Sequence, residues 1–192
     1  INQISSEKSL NVIKKNRKNG KKFTAGVSIN NLSLNENAIG ELKTFLKLSP
    51  PLRLEKDRLS LIQGIKENFI DVIVSDHRPE DEESKRLPFA QAATGSIGIE
   101  TLLPLALEMY HNKSLPLNKI IEVLTDNPSK ILKINKGTLQ KGSAADICVV
   151  DLDAPWVVKA EKLKSKSKNT AIEDRKLQGK VLMTFLNGEL VY

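Results

Sequence analysis

The residues best suited to chemistry follow a short β-branched run. Val72 to Val74 has the composition of a strand buried on both faces, and Asp76, His77 and Pro79 come soon after it. In a (β/α)8 barrel, side chains at the C-terminal ends of the strands line one shared pocket. At such a position an ionised Asp76 could act as a base or a ligand. The alternative is an ordinary strand-to-loop junction, since Asp and Ser are common turn residues.

Length and composition predict one large domain with an appendage. The chain has 192 residues, of which 40% are hydrophobic and 28% charged, as in globular proteins with one sizeable core. It has no apolar run long enough to span a membrane and does not open with a secretion signal, so we expect a cytoplasmic protein without membrane contact. The one cysteine, Cys148, lies in an apolar run and is predicted to be buried.

The net charge of +7 comes largely from two lysine-rich segments, Lys14–Lys22 and Lys159–Lys168. Basic segments can bind phosphates, but nucleic-acid sites interleave aromatic residues with their lysines. Only 4% of the chain's residues are aromatic, and neither segment shows that pattern. We therefore predict solvated lysine faces and no nucleic-acid partner.

Periodicity in the first 135 residues predicts alternating helices and strands. Ser6–Lys18 and Lys56–Asn68 have helical apolar spacing, and Phe23–Val27 and Phe45–Leu48 are predicted to be short strands. A polar loop is expected over residues 28–31 and a solvent-facing loop over residues 78–86. Further predicted elements are a glycine turn at Thr94–Gly98, a helix at Ile99–His111, and a helical stretch at Pro116–Leu132 that Asn127 and Pro128 divide into two.

Beyond Gly137 the apolar period changes from 3.6 to 2 residues. Strands are predicted at Asp146–Val150, Val181–Leu186 and Leu190–Tyr192. Asn187 and Gly188 form a strong hairpin signal between the last two. These strands predict a small β appendage after the helical layer.

Several motifs, in order along nearly the whole chain, resemble the C-terminal half of a dihydroorotase of the amidohydrolase superfamily. They are Leu48–Arg53, Asp71–Pro79, Pro88–Phe89, Gly95–Thr101, Asn127–Pro128, Lys136–Asp146, Leu163–Thr170 and Leu177–Val181.

The resemblance implies an α/β fold in two parts. Residues 1–135 would be the C-terminal half of a (β/α)8 TIM barrel of the amidohydrolase type, with strands five to eight and their helices. Residues 136–192 would be part of a small β-sandwich appendage. It also implies pyrimidine biosynthesis, with hydrolysis of a cyclic amide that interconverts dihydroorotate and N-carbamoyl-aspartate. The family's cofactor is zinc.

The same resemblance assigns site residues. Asp76 would be the general base at the end of strand eight, and the backbone at Thr94 and Gly95 would contact the substrate ring. Two ligand positions that hold histidine in the family are Gln3 and Asn30 here. Amides are poor zinc ligands beside imidazole, so no metal ligand is assigned in this chain.

Two substrate positions also differ from the family pattern. The histidine that binds the substrate carboxylate corresponds to Glu80, a like charge, and the asparagine before the two prolines corresponds to Ser49. Both positions are therefore expected at the substrate site with altered chemistry.

Two hypotheses of different class follow. In the first, the chain belongs to a dihydroorotase-like enzyme acting on dihydroorotate. In the second, it belongs to a non-catalytic homologue that supports aspartate carbamoyltransferase or another partner, including further copies of itself. A remote third reading is another cyclic-amide hydrolase, such as a hydantoinase or allantoinase. The motif at Leu48–Arg53 favours the dihydroorotase-like reading.

Overall fold

The computed structural model describes residues 1–192 and contains two separate sheets. In the first, β1 (Gly26–Ser28) and β2 (Val72–Val74) pair in parallel, with Val27 opposite Ile73. The extended segment 1–4 lies on the other side of β1, where Gly26 donates to the Ile1 carbonyl and Ile4 donates to the Gly26 carbonyl, each at 2.9 Å. The segment 1–4, β1 and β2 therefore lie side by side and end at the same edge of the sheet.

The first helix, α1 (Glu7–Lys18), begins where two side chains accept hydrogen bonds from its free N–H groups. Ser6 Oγ accepts a hydrogen bond from the Ser9 amide at 3.2 Å, and Asp57 Oδ1 accepts one from the Glu7 amide at 2.8 Å. The remaining α-helices are α2 (Ile29–Ser33), α3 (Glu55–Lys66), α4 (Glu82–Arg86), α5 (Leu102–His111), α6 (Leu117–Ile121) and α7 (Asn127–Leu132).

Four short helical segments of other types complete the helical part. Three are 3-10 turns, at Glu36–Ile39, Thr44–Leu46 and Ala160–Lys162, and a π-helical turn at Glu122–Asp126 joins α6 to α7. No helix is long and apolar enough to cross a membrane.

One cluster of 23 buried hydrophobic residues forms the main core. It contains Leu10 of α1, Leu61 and Ile65 of α3, and Ile73 of β2. It also contains Leu177, which lies far along the chain. The C-terminal segment therefore packs on the same core as the parallel strands.

The second sheet is antiparallel and consists of β3 (Ile147–Val157), β4 (Lys176–Leu186) and β5 (Glu189–Leu190). Asn187 and Gly188 have φ values of 51° and 88°, the left-handed conformation that a tight hairpin turn needs. The predicted hairpin is confirmed.

Some predictions about local structure are wrong. Residues 45–48 do not form a strand, because Leu46 and Leu48 pack with Leu52 in a small separate cluster next to a 3-10 turn. Residues 29–31 belong to α2, which begins because Ser28 Oγ caps the Asn30 amide. Cys148 is exposed, since it lies on a part of β3 that the core does not cover.

The segment at residues 78–86 is also more ordered than predicted. Asp81 Oδ2 accepts hydrogen bonds from the amides of Glu83 and Ser84, which starts helix α4. On this helix Lys85 has an exposed fraction of 0%. The segment therefore contains a short helix and one buried side chain, although most of its residues face the solvent as predicted.

Candidate ligand site at the strand ends

Asp76 and Gln3 meet at the shared edge of the parallel strands. Gln3 Nε2 donates a hydrogen bond to Asp76 Oδ1 at 2.5 Å, although the two residues are 73 positions apart in sequence. Both have positive φ values, 53° for Gln3 and 49° for Asp76. Aspartate tolerates this conformation and glutamine does so at a cost, so the surrounding structure holds both residues in place.

The Asp76 carboxylate has a second partner. Arg78 Nε lies 3.3 Å from the same oxygen, Oδ1, and the Asp76 side chain is only 6% exposed. Oδ2 accepts no hydrogen bond within the chain. One oxygen thus anchors the side chain, and the other is the atom that could accept a proton or contact a ligand.

The residues of this edge do not fit a zinc ion. Zinc prefers imidazole, thiolate and carboxylate ligands in a tetrahedral arrangement. Gln3 and Asn30 offer amides, and His77 Nδ1 already accepts a hydrogen bond from the Gly98 amide at 3.1 Å. No group of three His, Cys, Asp or Glu residues lies close enough together to hold a metal ion.

Asn30 is buried and incompletely bonded. Its exposed fraction is 5%, and its Nδ2 has no hydrogen-bond partner. An unpaired buried amide costs about 1–3 kcal/mol.

The glycine turn at residues 94–98 lies directly beside the end of β2. Ser96 pairs with His77 in a parallel bridge, and the Arg78 amide donates to the Ser96 carbonyl at 2.8 Å. A β-carbon on Gly95, whose φ is 138°, would lie 2.7 Å from Arg78 Cβ. One on Gly98 would lie 2.5 Å from the backbone oxygen of Ser75. Glycine is therefore required at both positions by close backbone approach.

A buried lysine, which the sequence pattern did not reveal, supports this turn from behind. Lys85 Nζ donates to the carbonyl oxygens of Ala93 at 2.9 Å, Gly95 at 3.0 Å and Lys47 at 3.3 Å. Burial lowers the pKa of Lys85 to about 8, and the nearby charge of Glu80 partly opposes that shift. A lysine within a run of charged residues carries no sequence signal that distinguishes it from its exposed neighbours.

Asn169, directly after the lysine-rich segment Lys159–Lys168, joins the same loops. It is 0% exposed, and its Nδ2 donates to the Arg78 carbonyl at 2.9 Å and to the Gly95 carbonyl at 3.3 Å. Its Oδ1 accepts from the Glu80 amide at 3.2 Å. The C-terminal segment thereby fixes the distance between the loop after β2 and the glycine turn.

The four residues that the resemblance assigns to the substrate lie around this turn. The Gly95 amide donates to the carbonyl of Lys47, two residues before Ser49, at 3.0 Å. Glu80 approaches the turn closely, since a β-carbon on Gly95 would lie 3.5 Å from its Cγ. Ser49 is exposed and Thr94 half-buried. The structure thus brings together the segments that carry these residues.

The fold and the sequence define the class of protein. The amidohydrolase family model matches residues 6–191, and the chain belongs to this family. Among solved structures, an L-hydantoinase (dihydropyrimidinase) from Arthrobacter aurescens superposes with a TM-score of 0.90 at 28% identity, over 99% of this chain and 44% of its own. A dihydropyrimidinase from Brevibacillus agri superposes with a TM-score of 0.92 at 22% identity, over 99% of this chain and 43% of its own, and shows the shared fold alone.

The curated relatives that the chain resembles are dihydroorotases. The dihydroorotase of Ehrlichia chaffeensis is 43% identical over 192 residues, which are 100% of this chain and 43% of that protein. The dihydroorotase of Acetivibrio thermocellus is 40% identical over 100% of this chain and 45% of its own length. The predicted family resemblance is confirmed, and the chain spans less than half the length of these relatives.

Proposed function

We propose that this chain is the C-terminal part of a dihydroorotase-like protein of pyrimidine biosynthesis in the cytoplasm. Residues 1–135 would be a half-barrel that the rest of the protein completes, and residues 136–192 part of a β-sandwich. The 43% identity to a dihydroorotase over the full 192 residues carries this proposal. The contact between Gln3 and Asp76 supports the half-barrel, because it joins the ends that the resemblance assigns to strands five and eight.

The ligand site would be the space in front of Asp76 and the glycine turn. Backbone groups at Thr94 and Gly95 would contact the ring of a dihydroorotate-type cyclic amide, and Ser49 would lie at its side. Glu80 would weaken binding of the ligand's carboxylate, because like charges repel at short range. We therefore expect weaker affinity for dihydroorotate than a cationic residue at this position would give.

Between the two hypotheses, the site geometry favours a non-catalytic homologue that acts by association. Gln3 and Asn30 cannot replace imidazoles as zinc ligands, and Gln3 instead donates a hydrogen bond to Asp76. The partners would be aspartate carbamoyltransferase or further copies of the same protein. Such a role needs a stable fold and a specific surface but no metal centre.

A second candidate, hydrolysis of dihydroorotate, is favoured by one observation. Asp76 Oδ2 makes no hydrogen bond within the chain, although Oδ1 has two partners. A carboxylate oxygen in this position could take a proton from an attacking water and return it to the leaving nitrogen. The zinc of the family would supply an activated water, but the residues of this chain do not provide its ligands.

The association role can be tested by sedimentation. We expect the whole protein that contains this chain to co-sediment with aspartate carbamoyltransferase from the same organism in a fixed ratio. Asp76→Asn should leave this complex unchanged, because the site is not the interface in this account. Separate sedimentation of the two proteins at micromolar concentration would count against aspartate carbamoyltransferase as the partner.

A further inference from the structure

We propose that Lys85 is a positioning residue that holds the Gly95 turn against the Lys47–Ser49 segment and so sets the width of the ring site. The proposal rests on the proposed function, since the role of Gly95 as a ring contact belongs to it. Lys85 itself touches no ligand, because it is 0% exposed and lies behind the turn.

The geometry of the ammonium group carries this inference. A protonated lysine has three N–H donors, and the three carbonyl oxygens of Ala93, Gly95 and Lys47 lie 2.9, 3.0 and 3.3 Å from Nζ. The Ala93 and Gly95 carbonyls belong to the glycine turn and the residue before it, and the third carbonyl belongs to Lys47, 38 positions before Lys85 in sequence. The side chain therefore joins two segments that the proposed ring site needs at a fixed separation.

Other contacts show which part of the turn depends on Lys85. The Gly95 carbonyl also accepts from Asn169 Nδ2, and the Lys47 carbonyl also accepts from the Gly95 amide. The Ala93 carbonyl has no other hydrogen-bond partner within the chain. Loss of the ammonium group would thus release the turn first at Ala93 and leave Asn169 to hold the other end.

The charge of Lys85 depends on its surroundings. Glu80, from the loop after β2, favours the charged form, whereas burial and the positive charge of Lys47 disfavour it, and the pKa falls to about 8. Lys47 Nζ points to the Ala90 carbonyl at 2.9 Å. A neutral amine has only two N–H donors for three carbonyls. The clamp therefore loses one hydrogen bond as the pH rises above about 8.

Amide hydrogen exchange in the whole protein tests the clamp directly. The Gly95 amide, which donates to the Lys47 carbonyl, reports the separation of the two segments. Lys85→Met removes three hydrogen bonds, and one hydrogen bond to a charged group is worth about a factor of ten or more, so we expect Gly95 exchange to become at least about tenfold faster. Lys47→Met is the matched control, because it removes a nearby lysine side chain and leaves the Lys47 carbonyl in place.

The wild type provides a second measurement that needs no variant to fold. The exchange rate of the Gly95 amide, divided by the intrinsic rate at each pH, should increase above pH about 8. The Glu67 amide, which donates to the Gln63 carbonyl at the C-terminal cap of α3, should show no such increase. A Gly95 rate that follows the intrinsic rate through pH 9 would overturn the proposal. So would unchanged Gly95 protection in a folded Lys85→Met variant.

Ligand binding separates this inference from the proposed function. If the ring site is correct, calorimetry should show dihydroorotate affinity falling about tenfold in Lys85→Met, and falling in the wild type above pH about 8. If the wild type binds no dihydroorotate while Gly95 exchange responds as predicted, the ring site is wrong and the clamp stands. If affinity is unchanged in a variant whose Gly95 exchange is faster, Lys85 is structural only, and its positioning role is refuted.

Discussion

Replacing Asp76 by asparagine distinguishes an anchoring carboxylate from a catalytic one. Asparagine has nearly the same shape and also tolerates the left-handed conformation that Asp76 adopts, with φ at 49°. Its side-chain oxygen can still accept the hydrogen bond from Gln3 Nε2. The substitution therefore removes the negative charge and its basicity while keeping the local backbone.

The expected loss of stability follows from two contacts. The hydrogen bond from Gln3 changes from a charged to a neutral acceptor, which costs about 1 kcal/mol. The ion pair with Arg78, whose side chain is 45% exposed, contributes about 0.5 kcal/mol. We thus expect the free energy of unfolding to fall by about 1.5 kcal/mol. Asp76→Ala should cost about 3 kcal/mol, because it also leaves the Gln3 amide unpaired and places alanine at a positive φ.

Urea unfolding and dihydroorotate turnover, measured on the same samples, provide the assay. In the non-catalytic account both variants are less stable and neither changes the turnover, which stays at background. If Asp76 is a general base, Asp76→Asn should lower kcat by about 100-fold or more. Equal stability of the wild type and both variants would refute the contacts assigned to this carboxylate.

Two further predictions concern packing and pH. Gly98→Ala should lower the melting temperature more than Gly20→Ala. At Gly98 the new β-carbon would lie 2.5 Å from the Ser75 backbone oxygen, whereas at Gly20 nothing lies within 4 Å and the cost is that of alanine at a φ of 78°, about 1–2 kcal/mol; equal melting points would contradict the close approach. Burial raises the pKa of Glu108 above 4.5 despite its ion pair with Arg175, so the folded protein binds this proton more tightly than the unfolded chain. The stability that the protonated Glu108 side chain contributes is complete below pH 4.5 and is lost as the pH rises through the pKa of the folded protein. The free energy of unfolding of the wild type, relative to that of Glu108→Gln, should therefore fall across that range. A difference that stays constant with pH would show that the pKa is not raised.

The sequence predicted the elements whose signals are local. Helix α1 was predictable from its Ser6 cap and apolar spacing, β2 from its β-branched residues, and the last hairpin from Asn187 and Gly188. The family resemblance assigned Gln3 and Asp76 to the ends of strands five and eight, but it did not predict the hydrogen bond between them. Local periodicity alone could not have shown it across 73 positions.

The missed features depend on contacts between distant segments. Lys85 is buried because three carbonyls on two other segments surround its ammonium group, and a run of charged residues gives no sign of that. Asn169 directly follows the lysine-rich segment Lys159–Lys168, yet it joins the loop after β2 to the glycine turn. The predicted strand at residues 45–48 failed because Leu46 and Leu48 pack with Leu52 in a small cluster, against which the distant Ala171 also packs.

We propose that the whole protein containing this chain has no zinc centre, because Gln3 and Asn30 offer amides at positions where the resemblance places imidazole ligands. Elemental analysis of the whole protein, purified and then equilibrated with excess zinc and desalted, tests it most directly. We expect far less than one zinc per chain and no change in zinc content on Gln3→Ala or Asp76→Asn. About one zinc per chain, lost in Asp76→Asn and accompanied by zinc-dependent hydrolysis of dihydroorotate, would contradict the claim.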